Sequence, residues 1–335
     1  MILMVYIYKK NVGSKSYYYL RASERKRDKI IVKDIAYLGN SLDELKKSLD
    51  KLPKYKDEIR KAYKTINNFL ESNRYIEKIK SLKLKKDMFL GDKLTEVEAC
   101  KLHYNTSFKR NQELTKQEIL KNFIIEFAFN TTSIEGNTIK LNEARSLLEE
   151  GLTPKGKTMR EIHDVQNTEE VFLTILKLND ELDHNLIINI HSGLMENIDN
   201  RIGYRTTDVR VVHANFKATP APYVKADMTV LLSWYEKYET KLHPLVLASI
   251  FHHKFEKVHP FMDGNGRTGR MILNYILIKN NYPPLIVHTK QRSKYLNALR
   301  TADKSNLTEI NGGNYNDLIR FISEEMIKTY WNIFL

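Results

Sequence analysis

From Leu114 onward the chain repeats its apolar residues at intervals of three and four, and this periodicity limits the fold more than any other feature. Leu114–Phe129, Leu141–Glu150, Met159–Leu178, Leu186–Glu196, Ala226–Tyr238, Pro244–Lys257, Arg267–Lys279, Arg292–Ala302 and Tyr315–Trp331 each read as a helix. With only 13 Gly and 8 Pro in 335 residues, a loop-rich all-β fold is excluded. The one break is Val209–Tyr223, where VRVVH and FKAT alternate and Pro220 and Pro222 follow; it predicts a β-hairpin. Residues 114–335 are therefore expected to form a helical bundle carrying one hairpin.

The first third reads differently. MVYIY, SYYYLR and KIIVKDIAYLG are rich in β-branched and aromatic residues, which predicts a small antiparallel β-element over residues 1–40. Leu42, Leu45, Leu49 and Leu52 then restore a helical period, and residues 41–113 read as a basic helical linker region. Residues 1–90 hold 23 Lys and Arg against 11 Asp and Glu, a net of +12, while the rest of the chain nets +1. Such a segment, interleaved with tyrosines, reads either as a solvated basic surface or as a module that binds polyanions such as nucleic acid. A single cysteine, Cys100, rules out an intrachain disulfide and a cysteine-based zinc site. It reads as structural, and a reducing, cytoplasmic setting is expected. The opening MILMVYIYKK does not read as a signal peptide, and no apolar run reaches the ~18 residues of a membrane span, so no membrane partner is expected.

The densest site signal is HPFMDGNGRTGR at 259–270. A helix ends, and a turn with two glycines opens the next one. Gly264 and Gly266 permit close backbone approach, and the free amides with the positive helix end make an anion cradle. Arg267 and Arg270, three apart, are placed to lean toward one anion. Asp263 is a hard oxygen ligand suited to Mg²⁺, and His259 is a base that titrates near working pH. Base, metal ligand, cradle and two arginines describe phosphoryl-type or nucleotidyl-type transfer. The string also contains G-x-G-x-x-G, but a helical segment precedes it and no acid follows at dinucleotide-fold distance, so that reading fails. His252 and His253 lack metal-site spacing and are expected to be structural, while Trp234 and Trp331 are expected in the core.

At every defined position this string resembles the HxFx[DE]GNGRxxR signature of Fic proteins. The flanks GYRTTDVRV at 203–211, YPPLIV at 282–287 and RSKY at 292–295 resemble the segments on either side of that family's core. The resemblance covers about 114–335. It implies a Fic-type fold with a hairpin flap and transfer of AMP from ATP to a hydroxyl of a target protein. Position by position, it implies that His259 is the base and Asp263 the Mg²⁺ ligand. Gly264, Asn265, Gly266, Arg267, Thr268, Gly269 and Arg270 would bind the phosphates, with Asn265 on the α-phosphate. Tyr295 would pack the nucleoside, and Val211, Val212, His213 and Ala214 would form the flap that aligns a target segment. Gly266 separates the chain from a phosphate-transferring relative that carries Lys there.

Upstream, Thr131–Thr–Ser–Ile–Glu135–Gly136–Asn137 resembles the family's inhibitory pattern [ST]xxxE[GN]. In that reading the Glu135 carboxylate pairs with Arg270 and denies it to ATP. The plainer reading is a helix end capped by Gly136 and Asn137. Residues 17–39 resemble the β-element that opens some transposases, which would imply nucleic-acid contact. Three functions stay open: an adenylyltransferase inhibited by Glu135, a de-AMPylating enzyme of the same fold, and a nucleic-acid-binding regulator with a Fic core. A homodimer also stays open.

Overall fold

A computed structural model describes residues 2–13, 15–26, 29–211, 216–310 and 312–335. The chain divides into two compact units, residues 1–84 and 85–334.

The first unit is a three-stranded antiparallel meander, β1 (Ile2–Val12), β2 (Lys15–Lys26) and β3 (Lys29–Gly39), with β2 in the middle. Successive side chains alternate between faces. One face sends Val5, Ile7, Tyr18, Leu20 and Ala22 into a core closed by Leu45, Ala62 and Ile66. Those three residues come from α1 (Leu42–Leu49), from the residue after α2 (Lys56–Lys61), and from α3 (Tyr63–Ser81). Ser41 caps α1 by accepting from the Glu44 N–H at 3.2 Å, and the Glu44 carboxylate accepts from the Asn40 N–H at 2.9 Å. Residues 41–84 thus close the core of the sheet. The sequence reading ran one basic helical segment from 41 to 113, but its last part belongs to the second unit.

The regular secondary structure of the second unit is all helical among its described residues. Its helices are α4 (Leu94–Thr106), α5 (Glu113–Ile134), α6 (Leu141–Glu150), α7 (Met159–Ile175), α8 (His184–Leu194), α9 (Val224–Tyr238), α10 (Pro244–Val258), α11 (Asn265–Lys279), α12 (Arg292–Ala302) and α13 (Gly312–Ile333). Helix α10 begins PLVLASIF, apolar on every side, and Leu245 through Phe255 are all buried. A helix of that kind can only sit at the centre of a bundle. It packs against α9, α11 and α13. Cys100, Trp234, Trp331, His252 and His253 are buried in this unit, as residues of a packed interior.

The hairpin expected over 209–223 is described only in part. Residues 212–215, its tip, lie outside the described residues. On either side, 209–211 and 216–220 carry no strand pairing, and Ala221–Tyr223 forms a 3₁₀ turn into α9. Pro220 and Pro222 cannot donate to a ladder, which favours the turn over a strand. No helix among the described residues is long and apolar enough to cross a membrane.

Candidate active site

The site lies where α10 ends and α11 begins. His259 closes α10 in the left-handed conformation (φ 53°, ψ 61°), its N–H donating to Phe255 O at 2.9 Å. This puts the imidazole at a sharp reversal, with Phe261 buried beneath the loop. The buried Arg205 pins the reversal. Its Nε donates to His259 O at 2.8 Å, its Nη1 donates to Thr207 O at 3.0 Å, and its N–H donates to Pro260 O at 2.9 Å. His191 adds a second brace by lying flat on Phe261, with centroids 3.6 Å apart and planes at 5°, and Nε2 is 3.0 Å from Asp263 O. Burial pushes the His191 pKa down to about 4, so the ring is neutral and donates to that carbonyl. Neither Arg205 nor His191 stood out in the sequence, because each acts on backbone atoms far away in the chain.

Asn265 is used differently from the sequence expectation. Its Oδ1 accepts from the Phe261 N–H at 2.9 Å and its Nδ2 donates to Phe261 O at 2.8 Å. Both ends of the amide tie the loop to the first residue of α11, so the side chain is not directed at an α-phosphate. What position 265 offers an anion is its backbone N–H at the positive end of α11. Thr268 and Gly269 also turn inward. Thr268 is fully buried, and a Cβ on Gly269 would lie 2.8 Å from both Glu256 Oε1 and His252 Nδ1. Gly264 is the residue that truly needs to be glycine: φ is +76°, and a Cβ would meet Met195 Sδ at 2.7 Å.

The two arginines do not converge on one point. Arg267 ion-pairs with Asp164 of α7. Arg270 turns to α5, donating to Thr131 Oγ1 at 2.8 Å, to Thr131 O at 2.9 Å and to Glu135 Oε1 at 2.7 Å. Burial opposes the Arg270 charge, but the Glu135 carboxylate and Tyr295 outweigh it and hold its pKa above the ordinary value. Glu135 is the C-cap of α5, followed by Gly136 at φ +104°, so the helix-end reading and the ion-pair reading both describe the same residue. A Cβ on Gly266 would lie 2.2 Å from Glu135 Oε1, so the glycine leaves the space the carboxylate fills. Arg292 holds the helix end in place, its Nε donating to Ile134 O at 2.8 Å.

Asp263 accepts from the Gly264 N–H at 2.6 Å and ion-pairs with Arg160 of α7, a partner the sequence did not suggest. No group of three metal-capable side chains is found among the described residues. A divalent cation here would take one carboxylate from the protein and its other oxygens from phosphate and water, which is the ordinary manner of Mg²⁺.

A cavity of about 180 Å³ opens between these groups, lined by Glu135, Val211, His259, Gly266, Arg270 and Tyr295. Val212, His213 and Ala214 lie outside the described residues. Tyr295 is buried, its hydroxyl 2.6 Å from His252 Nε2 and its ring parallel to that imidazole. Burial keeps His259 below its ordinary pKa. Its Nδ1 is 3.3 Å from Glu256 O, and a carbonyl can only accept, so Nδ1 carries the proton and Nε2 is left as the acceptor. Burial also lifts the Glu256 carboxyl to about 8.

A neutral histidine at a helix reversal, a glycine-lined helix N-terminus and a paired arginine thus meet at one cavity of a helical unit. Residues 181–277 match the model of the Fic/DOC family. It is 32% identical over 187 residues to protein adenylyltransferase fic-1 of Caenorhabditis elegans, covering 54% of this chain and 37% of that one. It is 29% identical over 250 residues to protein adenylyltransferase Fic of Drosophila willistoni, covering 71% and 46%. The chain thus spans less than half the length of these relatives. Among solved structures, a Fic domain containing signaling protein from Bacteroides thetaiotaomicron superposes with TM-score 0.64 at 22% identity, over 70% of this chain and 94% of that one. A Fic family protein from Desulfovibrio desulfuricans superposes with TM-score 0.55 at 25% identity, over 75% of each chain.

Proposed function

We propose that the chain is a protein adenylyltransferase that moves AMP from ATP to a Ser, Thr or Tyr hydroxyl of a target protein, and that Glu135 holds it in a resting state. The observation that carries this reading is the 2.7 Å ion pair between Glu135 and Arg270 at the head of α11, opposite a neutral His259 on the same cavity. The adenylyltransferases of similar sequence support it.

His259 Nε2 takes the proton of the target hydroxyl as that oxygen attacks the α-phosphorus. The new bond joins the target oxygen to phosphorus, the bond to the β-phosphate oxygen breaks, and pyrophosphate leaves. The amides of α11 and the two guanidinium groups stabilise the phosphate charge. Bound Mg²⁺, held by Asp263, would neutralise the triphosphate. Tyr295 forms the wall against which the nucleoside packs. In the resting state Arg270 is committed to Glu135, and ATP cannot engage it. A rise in labelled-AMP incorporation by Glu135→Gly protein, given labelled ATP, Mg²⁺ and cell lysate, tests the reading. Equal incorporation by parent and variant overturns the inhibitory assignment, and none by either overturns the transferase. Loss of AMP from a premodified target with the parent alone identifies the reverse reaction.

A further inference from the structure

The sheet of the first unit has its helices on one face only. The register shows what stands on the other. Across β1 and β2, Tyr6 pairs with Arg21, Tyr8 with Tyr19 and Lys10 with Tyr17; across β2 and β3, Tyr19 pairs with Tyr37 and Arg21 with Asp34. Alternation therefore separates the tyrosines. Tyr18 goes to the core and is 1% exposed. Tyr6, Tyr8, Tyr17, Tyr19 and Tyr37 share the opposite face, the first four half-buried and Tyr37 exposed at 53%.

On that face two contacts tie aromatic groups together. Tyr19 and Tyr37 have centroids 5.4 Å apart, and the Arg21 guanidinium lies 3.3 Å from the centre of the Tyr8 ring. The same alternation places Lys10, Lys15 and Arg25 on the face that carries Arg21, against one carboxylate, Asp34, which is bonded to Arg21. Nothing in the packing of the unit calls for five aromatic rings on the side away from its core. Solvent-reached tyrosines, four half-buried and one exposed, share this face with cations on a unit whose residues help give the first ninety a net +12, and are complementary to a ligand with flat rings and a phosphate backbone.

We propose that this face binds single-stranded nucleic acid. Bases stack on Tyr19, Tyr37 and the Tyr8–Arg21 pair, while Lys10, Lys15 and Arg25 take the phosphates. The assignment does not depend on adenylyl transfer. A duplex keeps its base faces stacked internally, so the platform discriminates in favour of the single strand.

The full chain is titrated into a fluorescein-labelled 12-nucleotide oligo-dT at about 50 mM salt, following anisotropy. Micromolar binding is expected, weakening steeply by about 200 mM salt as condensed counterions cease to favour release. Tyr19→Ala with Tyr37→Ala should weaken it about tenfold or more. Tyr19→Phe with Tyr37→Phe should keep it, since the ring and not the hydroxyl stacks. Thermal melts of both double variants establish that the sheet is intact, and Lys10→Ala with Arg25→Ala serves as a second probe should the alanine pair fail to fold. The proposal is overturned by any of four results. These are absence of binding at the lower salt, unchanged affinity in the folded alanine or charge variants, equal affinity for a 12-base-pair duplex, and displacement by ATP, which would put the oligonucleotide at the α11 cradle. Tyrosine-dependent binding of a poly-glutamate peptide as tight as that of the oligonucleotide would make the face a protein-docking surface instead.

Discussion

Arg270 and Glu135 are 135 residues apart in the chain and 2.7 Å apart in space. A charge-assisted hydrogen bond of this kind contributes about 1.5–3 kcal/mol, so its loss should raise auto-modification by about tenfold or more in Glu135→Gly. Adding Arg270→Ala to that variant should remove the gain, read as labelled AMP on the protein itself. His259→Ala should abolish transfer while nucleotide still binds. Burial sets the pH dependence at the same residue. Because the His259 pKa is lowered, the base stays neutral at pH values where an ordinary histidine is charged. The transfer rate of Glu135→Gly should therefore hold level as the pH falls through 6.5 and drop only below it. A profile breaking above 6.5 would mean that another group takes the proton. Arg160 offers a further test. Its ion pair with Asp263 is on the surface and is worth at most about 1 kcal/mol. Arg160→Ala in the Glu135→Gly background should lower the Mg²⁺ concentration for half-maximal rate by no more than about fivefold.

At the scale of elements, the reversal between α10 and α11 is a small structure with its own stability. The Asn265 amide supplies two of its hydrogen bonds, and both partners are backbone groups of Phe261 that no water reaches. Asn265→Ala leaves them unsatisfied and should cost about 1–3 kcal/mol, seen as a lower melting temperature without nucleotide. A residue that only touched phosphate would leave that melt unchanged. Helix α5 shows how a motif and its setting divide the information. TTSIEGN was legible as a carboxylate near a helix end. That α5 runs on to Ile134, and that Arg292 and Thr289 grip its last turn, came only from packing against the start of α12. Residues 209–223 show the reverse. Alternation in VRVVH and FKAT suggested strands, yet the prolines and the entry into α9 shaped their described flanks into a turn.

At the scale of the whole molecule, the carboxyl of Glu256 stays protonated well above its ordinary range because it is buried beside Gly269 and His252. The unfolded chain ionises it near 4.5, whereas the folded protein does so near 8. Its contribution to stability is therefore complete below the lower value and is lost as the pH rises through the upper one. Urea denaturation should show the parent losing stability relative to Glu256→Gln between those limits, and parallel curves would contradict the burial account.

The sequence by itself determined the helical class of the second unit, the meander of the first, and the residues of the core motif, because periodicity and turn chemistry are local properties. It determined as well that the tyrosines and the positive charge gather in the first third. It did not tell Tyr18 from Tyr19. One residue of register sends the first into the core and the second to the open face, and that register is settled by which face the helices cover. Tertiary structure likewise decided that Asn265 binds its own loop, that Arg267 and Arg270 face different helices, and that Arg205, His191 and Arg160 belong to the site. Apart from the Asn265 bonds, which are local, each of these is a contact between groups far apart in the chain, and such contacts exist only once the helices have packed.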